Sequence, residues 1–561
     1  MVLNINVGVL GHVDSGKTAL SKALSTVAST AAFDKNPQSK KRGITLDLGF
    51  SSFKVDKNIP SQLLPSDTIQ ITLVDCPGHA SLIRTVICGA HIIDLMLLVV
   101  DVNKGFQTQT AECLIIGELT CEALVVVLNK IDLLPPDKRE ERIAKMKSRV
   151  SKTLESTKFK NASIVAVSAL PSEQSPSGEG MEDLVSALLS SIPDPRPKRS
   201  QLASQPFLFA VDHCFSKSGQ GTVLTGTVLR GCVRVGETVE VPQHKLKRKI
   251  KSMQMFRNPI DEIGPGDRAG ICMTQVDPSI MERGFLAAPD SLPIFQACLL
   301  TDVKRVPYFK GPLSSKQRFH VSIGQDTLLA RITCLRRTSK ITKIGGEEFE
   351  YEYSEQFTDE EGQSCDEMLL EFDAFSSSSV IVAPLGSLVI GARLDTDSNT
   401  PACRLSFHGR VGRVFVSPDD HRSLPIYRHK ARRGEVERVV DARNCIVRGL
   451  FKRETNWDIF TGLSVTLSNT SPVGDADADP LSISGVVEGS FGQSGKCRVR
   501  LNADLPEVFV KRFSGKAGKK ARKGTSASTE ELTPDDIKMC PLIVTLNFKK
   551  HVFDSSKRFV Q

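Results

Sequence analysis

The segment Gly11-His12-Val13-Asp14-Ser15-Gly16-Lys17-Thr18 determines how the first third of the chain folds. It follows an apolar run, Asn4–Leu10, which predicts a buried strand, and it leads into a helical segment at Thr18. A phosphate loop needs this context, because its glycines let backbone N–H groups turn toward phosphates and the helix N-terminus adds its positive end. Lys17 would reach the β- and γ-phosphates, and the Thr18 hydroxyl would bind Mg²⁺. The alternative is a fortuitous glycine-rich turn.

Near-continuous apolar runs recur through the first 200 residues and alternate with helical segments. The predicted strands are Asn4–Leu10, Ile69–Val74, Leu95–Asp101, Leu124–Asn129 and Ile164–Val167. Because they lack the polar alternation of a half-exposed sheet, they predict parallel strands that are buried on both faces. Residues 1–200 are therefore predicted to form an α/β phosphate-loop domain with a doubly wound, mostly parallel sheet, ending at a proline-rich linker near Ile192–Gln205.

A short motif, Arg42-Gly43-Ile44-Thr45, lies between the phosphate loop and the next predicted strand. Its Thr45 hydroxyl can bind Mg²⁺ only while the γ-phosphate draws the loop inward, so the loop would be ordered in one nucleotide state. On its own the tetrapeptide is more often a plain turn. Its position after a phosphate loop favours the role of a nucleotide sensor.

The motif Asp75-Cys76-Pro77-Gly78-His79 follows the second predicted strand. It places the Asp75 carboxylate near Mg²⁺, through water, and lets the Gly78 N–H meet the γ-phosphate. His79 would then position the attacking water, a task that Gln performs in other GTPases. We therefore predict that His79 is the catalytic residue of nucleotide hydrolysis.

The tetrapeptide Asn129-Lys130-Ile131-Asp132 ends the fourth predicted strand and is suited to select a base. The Asp132 carboxylate can accept from both N1–H and N2–H₂ of guanine, whereas adenine lacks that pair of donors. Lys130 would pack along the base, Asn129 would tie the segment to the phosphate loop, and Ser168-Ala169 would complete the pocket. These residues predict a GTPase that binds GTP and releases GDP. An exposed polar turn is the alternative for the tetrapeptide alone.

Beyond residue 205 the pattern changes to short β-rich segments divided by glycine turns, with no long amphipathic helix. Barrels are the usual solution for such segments. We predict three β-rich, barrel-like domains over residues 206–292, 293–424 and 425–561. The second of these contains an acidic stretch, residues 343–379, which is predicted to be an inserted, solvated loop.

Basic residues are concentrated in three places, although the net charge is only +9, from 73 Lys and Arg against 64 Asp and Glu. The clusters are Lys245–Lys251, Arg428–Arg438 and Lys511–Lys523. One such cluster is as often a solvated run, but three on one chain favour a polyanionic partner with a phosphate backbone. The last cluster also fits a nuclear import signal.

The composition is ordinary for folded soluble domains, with 40% apolar and 24% charged residues. No uncharged apolar stretch reaches the roughly 18 residues that cross a bilayer, because His91 and Asp94 interrupt the longest run. The N-terminus does not have the pattern of a secretion signal. The 14 cysteines include no Cys-x-x-Cys pair, which favours reduced structural thiols. We expect a cytoplasmic monomer without membrane contacts, and nuclear entry stays open.

These motifs and the predicted barrels together resemble the translation GTPases of the EF-Tu class. The segment Gly219-Gln220-Gly221-Thr222-Val223-Leu224-Thr225-Gly226 is similar to the signature of the second domain in that class, with Gln220 where EF-Tu usually has Arg. Arg42–Phe50 is similar to the selenocysteine-specific branch, SelB, and the segments Val211–Phe215 and Lys251–Phe256 are similar to its eukaryotic form. The resemblance is most specific over about Val2–Pro293 and persists in weaker form to the C-terminus.

The resemblance implies a factor that binds selenocysteinyl-tRNA in its GTP state and delivers it to a ribosome at UGA codons. GTP hydrolysis would release the factor, and the fourth domain would contact the selenocysteine insertion element RNA or the protein that binds it. A general EF-Tu-like carrier, or one similar to the gamma subunit of initiation factor 2, is the nearer alternative. The other is a GTPase regulatory subunit of a metabolic enzyme, as in the sulfate-activating adenylyltransferase. The additional basic domain disfavours both alternatives.

In the resemblance, three residues of the second domain, Asp212, His213 and Arg268, face the esterified amino acid. A selenol is more acidic than a thiol, whose pKa is about 8.5, so near neutral pH it is largely an anion, whereas a serine hydroxyl stays neutral. Arg268 and His213 would donate to the selenolate while Asp212 orients and charges His213. Alternatively, His213 and Arg268 are ordinary barrel residues that pair with Asp212.

Overall fold

The structure is a computed structural model that describes most of the chain. The described residues are 2–25, 27–28, 48–77, 87, 92–170, 178–217, 221–256, 258–278, 281, 283–343, 346–358, 362–373, 380–395, 402–417, 419–454, 459–469, 481–492, 495–514, 541–553 and 561. They divide into two compact units, residues 1–334 with 355–421, and residues 335–354 with 422–561. None of the helices in these ranges is long and apolar enough to cross a membrane.

A seven-stranded sheet forms the centre of the first domain. Its strands are β1 (Val2–Gly11), β2 (Val27–Ala28), β3 (Gly49–Val55), β4 (Thr68–Asp75), β5 (Leu95–Asp101), β6 (Ala123–Asn129) and β7 (Ser163–Ala166). In the order β2-β3-β4-β1-β5-β6-β7, the strands from β4 to β7 are parallel, whereas β2 and β3 are antiparallel to their neighbours. The predicted α/β class is confirmed. The sequence does not predict β3, because Ser51, Ser52 and Lys54 interrupt its apolar pattern.

Helices cover both faces of this sheet. They are α1 (Lys17–Leu24), α2 (Thr108–Thr120), α3 (Arg139–Leu154) and α4 (Met181–Ser191), and α5 (Arg196–Ala203) follows in the linker. Leu20 of α1 and Leu184 of α4 lie in one buried cluster, whereas Ile116 of α2 and Leu154 of α3 lie in another. Strand β5 contributes Leu95, Leu97 and Val99 to the first cluster and Met96, Leu98 and Val100 to the second. Because both faces are covered, the strand is apolar at every position.

The second domain is a closed barrel, and because each barrel is named by the number of its domain, we call it the second barrel. Its strands are β8 (Leu208–Lys217), β9 (Gly221–Arg230), β10 (Val233–Arg234), β11 (Thr238–Val241), β12 (Leu246–Met255), β13 (Asn258–Ile260), β14 (Glu262–Ile263), β15 (Arg268–Met273) and β16 (Gly284–Ala287). The order β11-β16-β8-β9-β15-β12 closes because β11 also pairs with β12. Side chains such as Phe209, Leu224 and Ile271 fill its interior. Closure removes the unpaired strand edges that an open sheet would expose.

The third domain is also a closed barrel. The next strands along the chain are β17 (Ile294–Phe295), β18 (Ala297–Arg305), β19 (Arg318–Ile323), β20 (Asp326–Lys343), β21 (Gly346–Ser354), β22 (Glu367–Phe372), β23 (Ile381–Val382), β24 (Leu388–Ala392) and β25 (Leu405–Phe415). The order β19-β24-β25-β18-β22-β20 closes through the pairing of β19 with β20. The second half of β20 and all of β21 belong to the second compact unit.

The acidic stretch 343–379 is not a single solvated loop. It contains β21 and β22, and the first four residues of β22 are buried in the third barrel. In β21, Phe349, Tyr351 and Tyr353 alternate with Glu350 and Glu352, a period-two pattern that the acidic composition conceals. The prediction of an inserted loop is therefore wrong for these two strands. Residues 335–354 also group with the C-terminal unit and not with the rest of the predicted domain 293–424.

The second compact unit contains the barrel of the fourth domain, the fourth barrel. Its other strands are β26 (Ile426–Val439), β27 (Asn444–Arg448), β28 (Ser464–Asn469), β29 (Ser482–Phe491), β30 (Lys496–Leu501) and β31 (Leu542–His551), and helix α6 spans Glu507–Phe513. The order β26-β27-β30-β29-β28-β31 closes through the pairing of β26 with β31, and β21 adds to β26 in parallel. The three predicted barrel-like domains are therefore present. Most of the basic cluster Lys511–Lys523, from residue 515 onward, lies outside the described residues.

A buried ion pair joins the first domain to the third. Glu112 of α2 accepts from Arg404 Nε at 3.0 Å and from its Nη2 at 2.6 Å, and the Arg404 backbone N–H donates to the same carboxylate at 3.0 Å. Both side chains are buried. Removing one partner would leave a buried charge without its counterion, which typically costs about 3–5 kcal/mol.

Candidate functional site

The phosphate loop connects β1 to α1. Three of its residues, Gly11, Asp14 and Gly16, have positive φ values of 148°, 60° and 92°, so the backbone turns back before the helix begins. At Gly16 a Cβ atom would lie 2.2 Å from Asn129 Nδ2. Only glycine therefore leaves room for the asparagine that binds this loop.

Lys17 and Thr18 begin α1 directly after the loop. Lys17 is buried, and its Nζ donates to the His12 carbonyl at 2.7 Å. Burial lowers the pKa of Lys17, and the nearby Asp75 carboxylate opposes that shift. The Thr18 hydroxyl donates to Asp75 Oδ2 at 2.7 Å. Hydroxyl and carboxylate oxygens are the ligands that Mg²⁺ prefers, so these two residues fit the metal predicted for them.

Three of the predicted site residues, Thr45, Gly78 and His79, lie outside the described residues. Their assigned roles stay predictions. Asp75 ends β4, and the next residue, Cys76, donates its backbone N–H to the Val9 carbonyl at 3.2 Å. The motif that contains His79 therefore starts beside the strand that leads into the phosphate loop.

Asn129 fastens the base-selecting segment to the phosphate loop. Its Nδ2 donates to the Ser15 carbonyl at 3.0 Å. Its Oδ1 accepts from the backbone N–H groups of Lys130 at 2.9 Å and Ala169 at 3.2 Å. One buried amide thus holds three loops together at the carboxyl ends of the parallel strands, where ligands bind in open α/β sheets.

Asp132 and Lys130 lie at the predicted base pocket. Asp132 is exposed, and Ser168 Oγ donates to its Oδ1 at 2.7 Å. Lys130 Nζ pairs with Asp101 Oδ2 at 3.0 Å. Burial would raise the pKa of Asp101, but hydrogen bonds from Lys130 and the Asn103 N–H outweigh it and lower that pKa. The sequence motifs do not identify Asp101 as a site residue. Its position at the end of an apolar strand indicates that it lies at the edge of the sheet where ligands bind.

Asp212, His213 and Arg268 lie together in the second barrel. Arg268 Nη1 and Nη2 donate to the two carboxylate oxygens of Asp212 at 2.5 and 3.1 Å. His213 Nδ1 lies 2.9 Å from Asp212 Oδ1, and Thr225 Oγ1 donates to that oxygen at 2.8 Å. Burial would raise the pKa of Asp212, but the charge of Arg268 and the hydrogen bond from His213 lower it. Asp212 is therefore an anion that holds both basic side chains.

An irregularity in β8 allows two neighbouring residues to share this site. Successive residues of a regular strand point to opposite faces, yet the side chains of Asp212 and His213 are in contact. The register between β8 and β9 shifts between Val211 and His213. A shift of this kind re-aims a side chain, and bulges are common beside functional sites.

Phe50 of the first domain covers the same cluster. The Arg268 Cζ lies 3.2 Å from the centroid of the Phe50 ring, and the His213 ring meets that ring edge-on at 6.2 Å. The Arg268 side chain is only 5% exposed, whereas that of His213 is 26% exposed. The site therefore lies where the nucleotide-binding domain meets the second barrel. Phe50 and Thr225 lie in segments that carry the family resemblance, but no motif marks them as pocket residues.

Four known domain families match consecutive parts of the chain. Residues 3–194 match the elongation factor Tu GTP binding domain, and residues 221–285 match elongation factor Tu domain 2. Residues 300–409 match the third domain of eukaryotic selenocysteine-specific elongation factors, and residues 422–557 match the eEFSec C-terminal RIFT domain. The last two families are specific to selenocysteine factors.

Two curated relatives and one solved structure are similar over nearly the whole chain. The selenocysteine-specific elongation factor of Mus musculus is 43% identical over 100% of this chain and 99% of its own length. That of Methanocaldococcus jannaschii is 33% identical over 88% of this chain and 93% of its own length. The crystal structure of translation elongation factor SelB from Methanococcus maripaludis in complex with the GTP analogue GppNHp has a TM-score of 0.66 and 26% identity, covering 98% of this chain and 99% of that one. The chain therefore belongs to the selenocysteine-specific elongation factors, a family of GTP-hydrolysing translation factors.

Proposed function

We propose that this chain, with GTP bound, carries selenocysteinyl-tRNA to a ribosome that decodes a UGA codon, and that GTP hydrolysis releases it there. The observation that supports the proposal most is the cluster of Asp212, His213 and Arg268 beneath Phe50. It combines donors suited to an anionic amino acid side chain with direct contact to the nucleotide-binding domain.

Arg268 and His213 would recognise the selenolate by charge. A guanidinium has five N–H donors, and Asp212 accepts from two of them, so donors remain for a second anion. Asp212 orients the His213 ring through Nδ1, and a protonated His213 would donate to the ligand. A seryl group is neutral and offers no comparable charge, so the pocket would discriminate between two amino acids carried on one tRNA.

GTP would be bound together with Mg²⁺, which neutralises charge on the β- and γ-phosphates when it is present. Thr18 and Asp75 would hold the ion, with Thr45 joining them in the GTP state. Lys17 binds phosphate oxygens, and His79 holds the attacking water in line with the γ-phosphate. Thr45 lies shortly before Phe50 in the sequence, so the predicted nucleotide sensor and the residue that covers the amino acid pocket are close along the chain.

The C-terminal unit would contact the selenocysteine insertion element RNA or the protein that binds it, in the cytoplasm. Strand β26 exposes Lys430 and Arg433, and its residue Arg428 lies directly opposite Lys550 of β31. Like charges directly opposite each other are unfavourable in isolation. A polyanion that neutralises Arg428 and Lys550 would therefore gain affinity there, and we favour RNA as the partner.

A pull-down tests the proposed function. The full chain is loaded with a non-hydrolysable GTP analogue or with GDP and mixed with total aminoacylated tRNA. We expect the GTP-analogue form to retain selenocysteinyl-tRNA and to leave bulk aminoacyl-tRNA behind, and the GDP form to retain little. Retention of bulk aminoacyl-tRNA would instead support a general EF-Tu-like carrier.

Neutralising the basic C-terminal residues should weaken RNA binding in a salt-dependent way. In one variant Lys519, Lys520, Arg522 and Lys523 are changed to alanine, and in a second Lys430 and Arg433 are changed. Binding to phosphates releases counterions, so the slope of log K against log salt should flatten by about 1 for each phosphate that is no longer neutralised. Lys145→Ala with Lys147→Ala, on the exposed face of α3, reduces the positive charge of the first domain and should leave the slope unchanged. Equal slopes in all variants would mean that these residues are merely solvated.

A further inference from the structure

A four-residue turn, Gly264-Pro265-Gly266-Asp267, leads directly into Arg268, the first residue of β15. We propose that three residues of the first domain and its linker, Asn4, Asn6 and Arg199, hold this turn and thereby position Arg268 for selenocysteine. We call these three residues the clamp. They are positioning residues, since each acts through the turn and not through a hydrogen bond to Arg268. This inference rests on the proposed function of the pocket.

The turn is built to hold a fixed shape. The Asp267 N–H donates to the Gly264 carbonyl at 3.0 Å, which closes it, and the Gly264 N–H donates back to Asp267 Oδ2 at 2.9 Å. Gly266 has φ +86°, and Pro265 precedes it, which is the residue pattern of a type II turn. Burial raises the pKa of Asp267. The backbone that carries Arg268 therefore enters β15 from a defined direction.

Two asparagines of β1 hold the carbonyl of Gly266. Asn4 Nδ2 donates to it at 2.7 Å and Asn6 Nδ2 donates to it at 2.9 Å. Residues two apart on a strand point to the same face, so both amides reach one acceptor, whose two lone pairs they can fill. Asn4 Oδ1 in turn accepts from Thr72 Oγ1 at 2.9 Å, which fixes the orientation of the amide. The asparagines are 3% and 1% exposed, so water does not compete for their amide groups.

Arg199 of α5 packs against the same turn. Its Nη1 donates to the Asn4 carbonyl at 2.7 Å, and its Nη2 donates to Asp94 Oδ2 at 2.8 Å. The Asp94 carboxylate also accepts from the Asn6 N–H at 2.8 Å. A Cβ atom on Gly266 would lie 2.1 Å from the Arg199 Cζ, so the guanidinium packs against the bare glycine. One cation therefore ties the linker, strand β1 and the turn together.

The same strand carries the phosphate loop. β1 runs from Val2 to Gly11, where that loop begins, and Asn4 and Asn6 lie in its first half. The turn before Arg268 is thus fixed to the nucleotide-binding sheet, while Phe50 of the same sheet stacks on the Arg268 guanidinium. A guanidinium that must serve both Asp212 and a ligand tolerates little displacement, because hydrogen bonds weaken steeply away from ideal geometry.

The test measures how well each variant discriminates between two tRNAs. Arg199→Lys keeps the charge beside Asp94 but lacks the planar fork whose Nη1 and Nη2 reach Asn4 and Asp94 separately. Asn6→Ala removes one donor to Gly266. With GTP bound, the protection of selenocysteinyl-tRNA and of seryl-tRNA from deacylation is titrated. We expect the preference for selenocysteinyl-tRNA to fall about threefold to tenfold in each variant, with unchanged GTP affinity. The matched control is Arg196→Lys on the same helix. The Arg196 side chain pairs with Asp194, so this variant should keep the full preference for selenocysteinyl-tRNA.

Each variant is also combined with Arg268→Ala. If the clamp acts through Arg268, its variants should cause no further loss of preference in that background. A merely structural role would instead lower the melting temperature and the affinity for both tRNAs equally, and that result would overturn the proposal. A second contradicting result is that both clamp variants keep the full preference for selenocysteinyl-tRNA while Arg268→Ala abolishes it. The proposed role of the clamp would then be wrong, and the proposed role of the pocket would stand. No effect of Arg268→Ala would overturn the pocket itself, and the clamp with it.

Discussion

Asp132→Asn should convert the nucleotide site from a preference for GTP toward xanthosine triphosphate. The Asp132 carboxylate would accept from the N1–H and N2–H₂ donors of guanine, and an amide could not accept from both. Two charge-assisted hydrogen bonds of about 1.5–3 kcal/mol each are at stake, so GTP affinity should fall roughly 10²- to 10⁴-fold. Xanthine has a carbonyl in place of the amino group, and the new amide can donate to it.

A competition assay between the two triphosphates measures this change. Asp137→Asn, an exposed carboxylate five residues further along the chain, is the matched control and should bind GTP normally. Because Ser168 Oγ donates to Asp132, Ser168→Ala should weaken GTP binding less than Asp132→Asn and without reversing the preference. An unchanged preference in Asp132→Asn would remove this residue from the base pocket.

His79→Ala should leave GTP binding nearly intact and slow ribosome-stimulated hydrolysis by about 10²- to 10⁴-fold. That is the usual range for a positioned side chain that acts on the reacting groups in the transition state. His79 is assigned to the attacking water, whereas Lys17 and the backbone of the phosphate loop are assigned to the phosphates. Nucleotide affinity and the rate of a single turnover, measured separately, distinguish the two roles.

His79→Gln is the matched variant for this test, because Gln orients the water in other GTPases. We expect it to hydrolyse GTP faster than His79→Ala and to bind GTP equally well. A collapse of nucleotide affinity in His79→Ala, with normal turnover of the fraction that remains bound, would show that His79 holds nucleotide and does not orient water.

Local patterns predict the nucleotide site because its residues lie in short motifs at the ends of strongly apolar strands. Strand β5 reads as continuous apolar sequence because helices bury both of its faces. Strand β21 is harder to predict, since its aromatic residues alternate with glutamates that give the segment an acidic, loop-like composition. Composition over a window conceals a period of two, which only residue-by-residue comparison reveals.

Contacts between distant segments are not predictable in this way. Arg404 and Glu112 are 292 positions apart, and Asn4 and Gly266 are 262 apart. The contact between Phe50 and Arg268 depends on how two domains pack. Each depends on tertiary structure that no local motif encodes. The family resemblance pointed to the three pocket residues, and the structure adds Phe50 and Thr225 as their neighbours.

The central claim is that a charged pocket in the second barrel reads the selenolate. Its most direct test is the protection of selenocysteinyl-tRNA and seryl-tRNA from deacylation by the GTP-bound chain, before and after Arg268→Ala. Charge-assisted hydrogen bonds of about 1.5–3 kcal/mol predict that the wild type protects selenocysteinyl-tRNA roughly ten- to hundred-fold better, and that Arg268→Ala loses this preference while still binding GTP. Equal loss of protection for both tRNAs, or no loss for either, would contradict the account.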